Sequence, residues 1–438
     1  MSDFKWGVAT AAFQIEGASA EGGRTKSIWD VFCEIPGKIQ NGDDGTVACD
    51  HYHRYEEDLE IMKWMGVNSY RFSVSWNRIL PNGVGEVNQA GIDFYNRLID
   101  SMISKGIEPL LTIYHWDLPQ ALHEKGGWLN RESADWFENF TKVLVEHFGD
   151  RVKNWITINE PHCVVWFGYL RGWFAPGIAD RQSALTAGHH VLLAHGKAVR
   201  AIKAVYPNSN VGMAPGLTPC VPATDSPEDI AAAKLQDDFE IAWWLDPIYG
   251  KGYPTNIIEK FGLTPPVVEG DMEIISTPTD FLGVNFYLRS IIAADPTDEF
   301  LGVKGVDLPD AKYTAMGWEI CAPAFKDLLV RVTQTYAPKE IFITENGSAW
   351  DDVVEEDGSI NDVNRIEYLE QHLEAMNVAK LAGAPINGYF AWSFMDNFEW
   401  GHGYSKRFGL VRVDYDTLKR TPKASAYKYR EIVRAATN

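Results

Sequence analysis

Eight short β-type runs, each followed by a segment of helical period, constrain this chain more than any other feature. The runs occupy 6–13 (WGVATAAF), 69–76 (SYRFSVSW), 108–116 (EPLLTIYHW), 154–160 (NWITINE), 210–215 (NVGMAP), 280–287 (DFLGVNFY), 340–346 (EIFITEN) and 387–394 (NGYFAWSF). Between them, Phe137, Phe140, Leu144 and Phe148 recur at three- and four-residue steps, as do Ile366, Leu369, Leu373 and Met376. Such spacing lines one face of a helix. Gly383 is the expected stop of the second of these helices, and a third is expected from an Asp50 N-cap to Gly66. Alternation of this kind suits either an open doubly wound sheet or a closed barrel. No GxGxxG follows the first run, no GxxxxGK[ST] occurs, and the count is eight. The expectation is therefore α/β, a single-domain (β/α)8 TIM barrel over residues 1–438 with extended βα loops. The long connections 215–225 and 290–322 are expected to lie over its mouth.

Bulk properties remove several classes of function. A net charge of -20 argues against a nucleic-acid partner and against anionic membrane surfaces. No run approaches the roughly 18 apolar residues of a membrane helix. The opening MSDFKWGVATAAFQ lacks a basic stretch followed by a long apolar one. Cys33, Cys49, Cys163, Cys220 and Cys321 are odd in number and without CxxC spacing, which reads as reduced thiols in a cytoplasmic protein. A core can absorb many of the 16 Trp, 18 Tyr and 21 Phe, and so many Trp also suit a lined cleft that stacks flat ligands.

In a barrel the active site lies at the C-terminal strand ends. The runs end on Gln14, Arg71, His115 with Trp116, Asn159 with Glu160, Asn285 with Tyr287, Glu345 with Asn346, and Trp392. Glu160 ends the fourth run and Glu345 the seventh, so the two face each other across an eight-strand ring. A pair of carboxyls flanking a gap suits cleavage of a glycosidic bond: one gives a proton to the leaving oxygen, the other attacks the anomeric carbon or activates a water. Arg71 is the expected cation beside Glu345 and would hold it ionised. Glu160 sits among apolar and aromatic residues, where desolvation would raise its pKa and favour the acid role.

The segments FQIEG (13–17), YRFSVSW (70–76), YHWDLP (114–119), TINEP (157–161), GVNFY (283–287), ITENG (343–347) and WSFMDNFEWGHGYSKRFGL (392–410) together resemble the family 1 glycoside hydrolases of β-glucosidase type, over essentially the whole chain. The resemblance implies a retaining enzyme with no cofactor and no metal, acting on small glycosides or oligosaccharides by double displacement. It implies Glu160 as acid/base and Glu345 as nucleophile. It further implies that Gln14, His115, Asn159, Glu399 and Trp400 hold sugar hydroxyls, that Trp392 forms the stacking floor, and that Tyr287 orients the nucleophile. Arg71 and Asn285 would support them. Around the leaving group, Cys163, Trp166, Trp173 and Trp318 are expected, in an aromatic rim. The usual pattern has Trp after NEP where this chain has His162, and Arg171, Trp173 and Phe174 replace commoner residues before APG.

Three alternatives have definite residues. A 6-phospho-β-glucosidase would lack Glu399 and carry a Ser-Lys-Tyr set; here Ser405 and Lys406 are followed by Phe408. A metal-dependent hydrolase could use His51 and His53, which lack further strand-end ligands. A non-catalytic carbohydrate-binding barrel would be expected to lose one carboxylate, and both are present. The acidic run 351–362 reads as a solvated loop. Assembly into a homo-oligomer is left open.

Overall fold

The computed structural model describes residues 4–437. Eight parallel strands close into a barrel: β1 (Lys5–Ala9), β2 (Ser69–Ser73), β3 (Glu108–Tyr114), β4 (Asn154–Asn159), β5 (Asn210–Ala214), β6 (Phe281–Phe286), β7 (Ile341–Asn346) and β8 (Ile386–Trp392). Each strand pairs with its sequence neighbours, and β8 closes on β1 through five registered residues, Lys5 opposite Gly388 to Ala9 opposite Trp392. The strands are buried almost throughout, as parallel strands covered by helices must be. Inside the barrel Leu110, Ile156, Ala214, Phe281, Phe342 and Phe390 form one apolar cluster. Outside it, the sheet is covered by helices such as Ser133–Phe148 and Val363–Leu381.

All eight expected strands are present, and several stop short of their expected C-terminal ends. The first ends at Ala9 because the chain turns into a short helix, Ala12–Ile15, carrying Gln14. The helix His51–Met65 ends as expected on left-handed Gly66 (φ 79°). Its start differs. Asp50 occupies the cap position with φ 53° and gives no side-chain cap to the backbone. Its carboxylate instead meets His53 Nδ1 at 2.6 Å and Arg54 Nε at 3.3 Å.

The two long connections are not merely loops. Cys220–Pro222, Ser290–Ala294 and Val303–Gly305 form a small three-stranded sheet beside the barrel mouth. Beyond it, the turn bearing Trp318 is fastened by the Arg289–Glu319 ion pair, with contacts of 2.8 and 2.9 Å. The acidic run is a mostly exposed loop, as expected, but the side chains at two of its positions turn inward. Asp352 and Asp362 are buried and paired with Arg365, and Lys423 lies between Asp352 and Asp396. Buried charges persist only when matched in this way, and this set ties the C-terminal segment to the loop after β7.

Among the described residues, no helix is long and apolar enough to cross a membrane, and all five cysteines are unpaired.

Candidate active site

The strand ends open into a cavity of about 620 Å³ lined at its base by His115, Glu160, Asn285, Glu345, Trp392 and Glu399. Three of its lining residues hold left-handed backbone without being glycine: Trp116 (φ 78°), Glu160 (φ 43°) and Trp400 (φ 44°). Such conformations cost energy for side-chain-bearing residues and cluster where a site needs them. For Glu160 the turn comes directly after β4, where its backbone N–H donates to Ala214 O at 2.8 Å. Gly216 lies against the result. A Cβ there would stand 2.7 Å from Glu160 Oε1 and 2.4 Å from His162 Cε1, so only glycine leaves those side chains room.

Glu345 is enclosed by donors. Arg71 Nη1 donates to Oε1 and the Tyr287 hydroxyl to Oε2, both at 2.6 Å. Arg71 is itself fixed by Thr344 O, Thr112 Oγ1 and Asn159 Oδ1. Asn285 joins the network by donating to Asn159 at 3.0 Å and accepting from the Thr344 hydroxyl at 2.6 Å. Glu160 has no cation in contact; its neighbours include the Cys163 thiol, 3.5 Å from Oε2.

The electrostatics follow from this asymmetry. Burial and the nearby Glu345 charge push Glu160 up to about 8. Burial also raises Glu345, so the Arg71 charge does not bring it below the ordinary range as the sequence suggests. Desolvation outweighs the opposing pull of Arg71, Tyr287 and Asn285. Within the pair, the negative charge settles on Glu345, where two donors meet it. Glu399 is pushed up to about 8 by burial and by the other two carboxylates. Its Oε2 is buried without a partner. His115 is driven well below its ordinary value by burial and by Arg71, so it is a neutral imidazole.

Aromatic rings shape the remaining walls. The His115 ring is near-parallel to Trp392 and Trp400, at centroid distances of 5.9 and 6.0 Å. Gln14 and Asn159 are fully buried. Gln14 donates to Phe398 O at 2.8 Å and leaves Oε1 unpartnered; Asn159 Nδ2 meets His115 Nε2 at 3.1 Å. Higher up, Cys163, Phe167, Trp173, Phe174 and Trp318 line the mouth, and Trp173 is 60% exposed.

Trp166 is the exception. It is 2% exposed, packs against Phe239 at 4.5 Å and against Trp243 and Trp244, and does not reach the cavity. Cys163–Leu170 is a π-helix, wider than an α-helix because its hydrogen bonds run from i to i+5 and not from i to i+4. Phe167 therefore follows His162 on the cavity wall. A second π-helical turn, Asp238–Ala242, delivers a residue that sequence reasoning missed. Glu240 lines the mouth, is raised to about 7 by burial and accepts from Gln236 Nε2 at 2.7 Å. Its only sequence signal is the Gln236 four residues earlier. The residues of the alternative readings stay apart: His51 pairs with Asp58 at 2.7 Å, His53 with Asp50 and Glu21, and Lys406 Nζ with Ala315 O.

Comparison with known proteins decides the family. The model of glycosyl hydrolase family 1 matches residues 1–438. The chain belongs to glycosyl hydrolase family 1. Among family 1 members, it is 48% identical to beta-glucosidase A of Thermotoga maritima over 433 residues, 98% of this chain and 97% of that protein. A Thermotoga maritima family 1 enzyme solved with a cyclophellitol-analogue transition-state mimic superposes with a TM-score of 0.97 at 47% identity, covering 99% of this chain and 98% of that one. An aryl-phospho-beta-D-glucosidase of Bacillus subtilis is 39% identical over 461 residues, 98% of this chain and 96% of that protein.

Proposed function

We propose that this family 1 chain is a retaining β-glucosidase that releases terminal nonreducing β-D-glucosyl residues, and those of related β-glycosides, acting as one unit over residues 1–438. The observation that carries the reading is the unequal setting of two carboxyls in one cavity. Glu345 is held by Arg71 and Tyr287, while Glu160 has no cation in contact and is pushed up to about 8. At neutral pH the first is a carboxylate and the second an acid, the division that double displacement needs. Glu345 attacks the anomeric carbon as Glu160 protonates the departing oxygen, giving a glycosyl ester. Glu160, now ionised, takes a proton from water as that water displaces Glu345, and the β configuration returns.

Gln14, His115, Asn159, Glu399 and Trp400 would hold the sugar's hydroxyls. The free oxygens Gln14 Oε1 and Glu399 Oε2 are the acceptors still to be filled. Trp392 offers its indole face to the C–H side of the pyranose. Arg71 and Asn285 fix Glu345 and Asn159. Cys163, Trp173 and Trp318, joined by Phe167 and Glu240, would receive the leaving group, an aryl group or a further sugar as in cellulose fragments. Glu399 and Phe408 disfavour a 6-phosphate: the cavity wall offers it no lysine or arginine, and the dianion would face the charge on Glu345 and any charge that Glu399 gains as pH nears its pKa of about 8. The unpaired cysteines fit a cytoplasmic location.

The test is azide rescue. Glu160→Ala should regain turnover of an activated aryl β-glucoside and give the β-azide. Glu345→Gly should give the α-azide. Identical products from both variants would overturn the assignment.

A further inference from the structure

One wall of the cavity brings together three metal-type donors that the hydrolytic reaction does not need as a set. Cys163 Sγ lies 3.5 Å from Glu160 Oε2 and 3.2 Å from His162 Nε2, and one donor atom from each residue falls within 4.8 Å of the others. All three residues line the cavity. Zinc binds N and O at about 2.0–2.2 Å and S at about 2.3 Å, so the edges of its tetrahedron are roughly 3.3–3.8 Å. The two measured separations therefore need to change by only a few tenths of an ångström. Gly216 lies beside two of the donors: a Cβ there would stand 2.7 Å from Glu160 Oε1 and 3.1 Å from His162 Nε2.

We propose that Glu160, His162 and Cys163 form a binding site for a borderline-soft divalent cation of the zinc class, with its fourth position open to the cavity. Thiolate, imidazole and carboxylate select this class over magnesium or calcium, which take oxygen ligands. Burial favours the neutral His162 imidazole, which can ligate, but it also holds the Cys163 thiol proton, which the cation has to displace. Binding forms metal–sulfur, metal–nitrogen and metal–oxygen bonds. The Cys163 S–H and Glu160 O–H bonds break, and up to two protons pass to solvent, so affinity rises with pH. Occupancy would remove the proton that the leaving group requires. That consequence rests on the acid/base reading of Glu160; the site itself does not.

The experiment uses the purified full chain with Zn²⁺ or Co²⁺ alone. Calorimetry should give one Zn²⁺ site accompanied by proton release, and Co²⁺ should show a sulfur-to-cobalt charge-transfer band. Cys163→Ser should abolish the band, and both Cys163→Ser and His162→Gln should weaken Zn²⁺ binding at least tenfold. Turnover of an aryl β-glucoside, each protein compared with its own metal-free rate, should fall with occupancy in the unmutated chain and recover in chelator. Binding that is unchanged in both variants, or a missing cobalt band, overturns the site. Binding that depends on both residues while turnover stays unchanged overturns Glu160 as the third ligand and the silencing with it; azide rescue, a separate measurement, decides the acid/base role.

Discussion

Arg71 joins Glu345 to Asn159, donating from Nη1 to the one and from Nη2 to the other, each at 2.6 Å. A single fully buried guanidinium thus fixes both the carboxylate at the end of β7 and the amide at the end of β4. Lysine has the charge but not the fork. Arg71→Lys should lose one of the two ties. Hydrogen bonds to charged groups are worth about 1.5–3 kcal/mol, so kcat should fall roughly 10- to 150-fold with a smaller change in KM. Arg71→Ala leaves Glu345 unpaired and should destabilise the fold by about 3–5 kcal/mol, visible in denaturant melts.

The alkaline limb of kcat/KM should fall near pH 8, where Glu160 loses its proton. The sign follows from the role: a proton donor works when protonated, so activity declines as pH rises through that value. Glu345 must be ionised, and burial raises it, so the acid limb should lie above the ordinary glutamate value. Glu160→Gln should erase the alkaline limb for substrates whose leaving groups need no proton. A limb that persists unchanged in that variant assigns it to another group.

Glu399 should make the fold sensitive to pH. Its folded pKa of about 8 lies above its ordinary 4.5, so the folded chain holds a proton that the unfolded chain releases. Stability from this residue is complete below about pH 4.5 and is lost as pH rises toward 8. Glu399→Gln should therefore leave Tm little changed at pH 5 and raise it by a few degrees at pH 8.5, a gain of about 1–2 kcal/mol. The same variant should bind glucosides more weakly and narrow the preference for plain over 6-phosphorylated substrate, measured as a ratio of kcat/KM values.

Trp166 and Trp173, grouped together by sequence, should separate under mutation. Trp166→Ala empties a packed aromatic cluster and should cost about 3–5 kcal/mol of stability. Trp173→Ala removes an exposed ring at the mouth and should leave Tm unchanged. Stacking on an aromatic is worth about 0.5–1.5 kcal/mol, so KM for aryl glucosides should rise roughly two- to tenfold. Melting curves and a panel of leaving groups separate the two.

The barrel is legible because its strands are buried on both faces and so appear as apolar runs ending in abrupt polarity. Glu160, Glu345, Arg71 and Tyr287 could be paired because strand order sets ring position. What escaped detection depends on backbone turns that ordinary residues conceal. Nothing in Trp116, Glu160 or Trp400 marks them as left-handed, since only glycine or asparagine would have suggested it. The π-helical turns placing Phe167 and Glu240 on the cavity wall break the 3.6-residue period, so a helical count from His162 lands on the buried Trp166 and passes over Phe167. Asp50 marks the correct boundary without supplying the expected cap.

The β1–β8 seam has a consequence for biosynthesis. Gln14 belongs to the first fifteen residues of the chain, whereas Trp392, Glu399 and Trp400 belong to its last fifty. A nascent polypeptide therefore carries Glu345 past the ribosome before any floor exists for a sugar to rest on. Ligand therefore cannot assist folding until β8 has been made and has paired with β1.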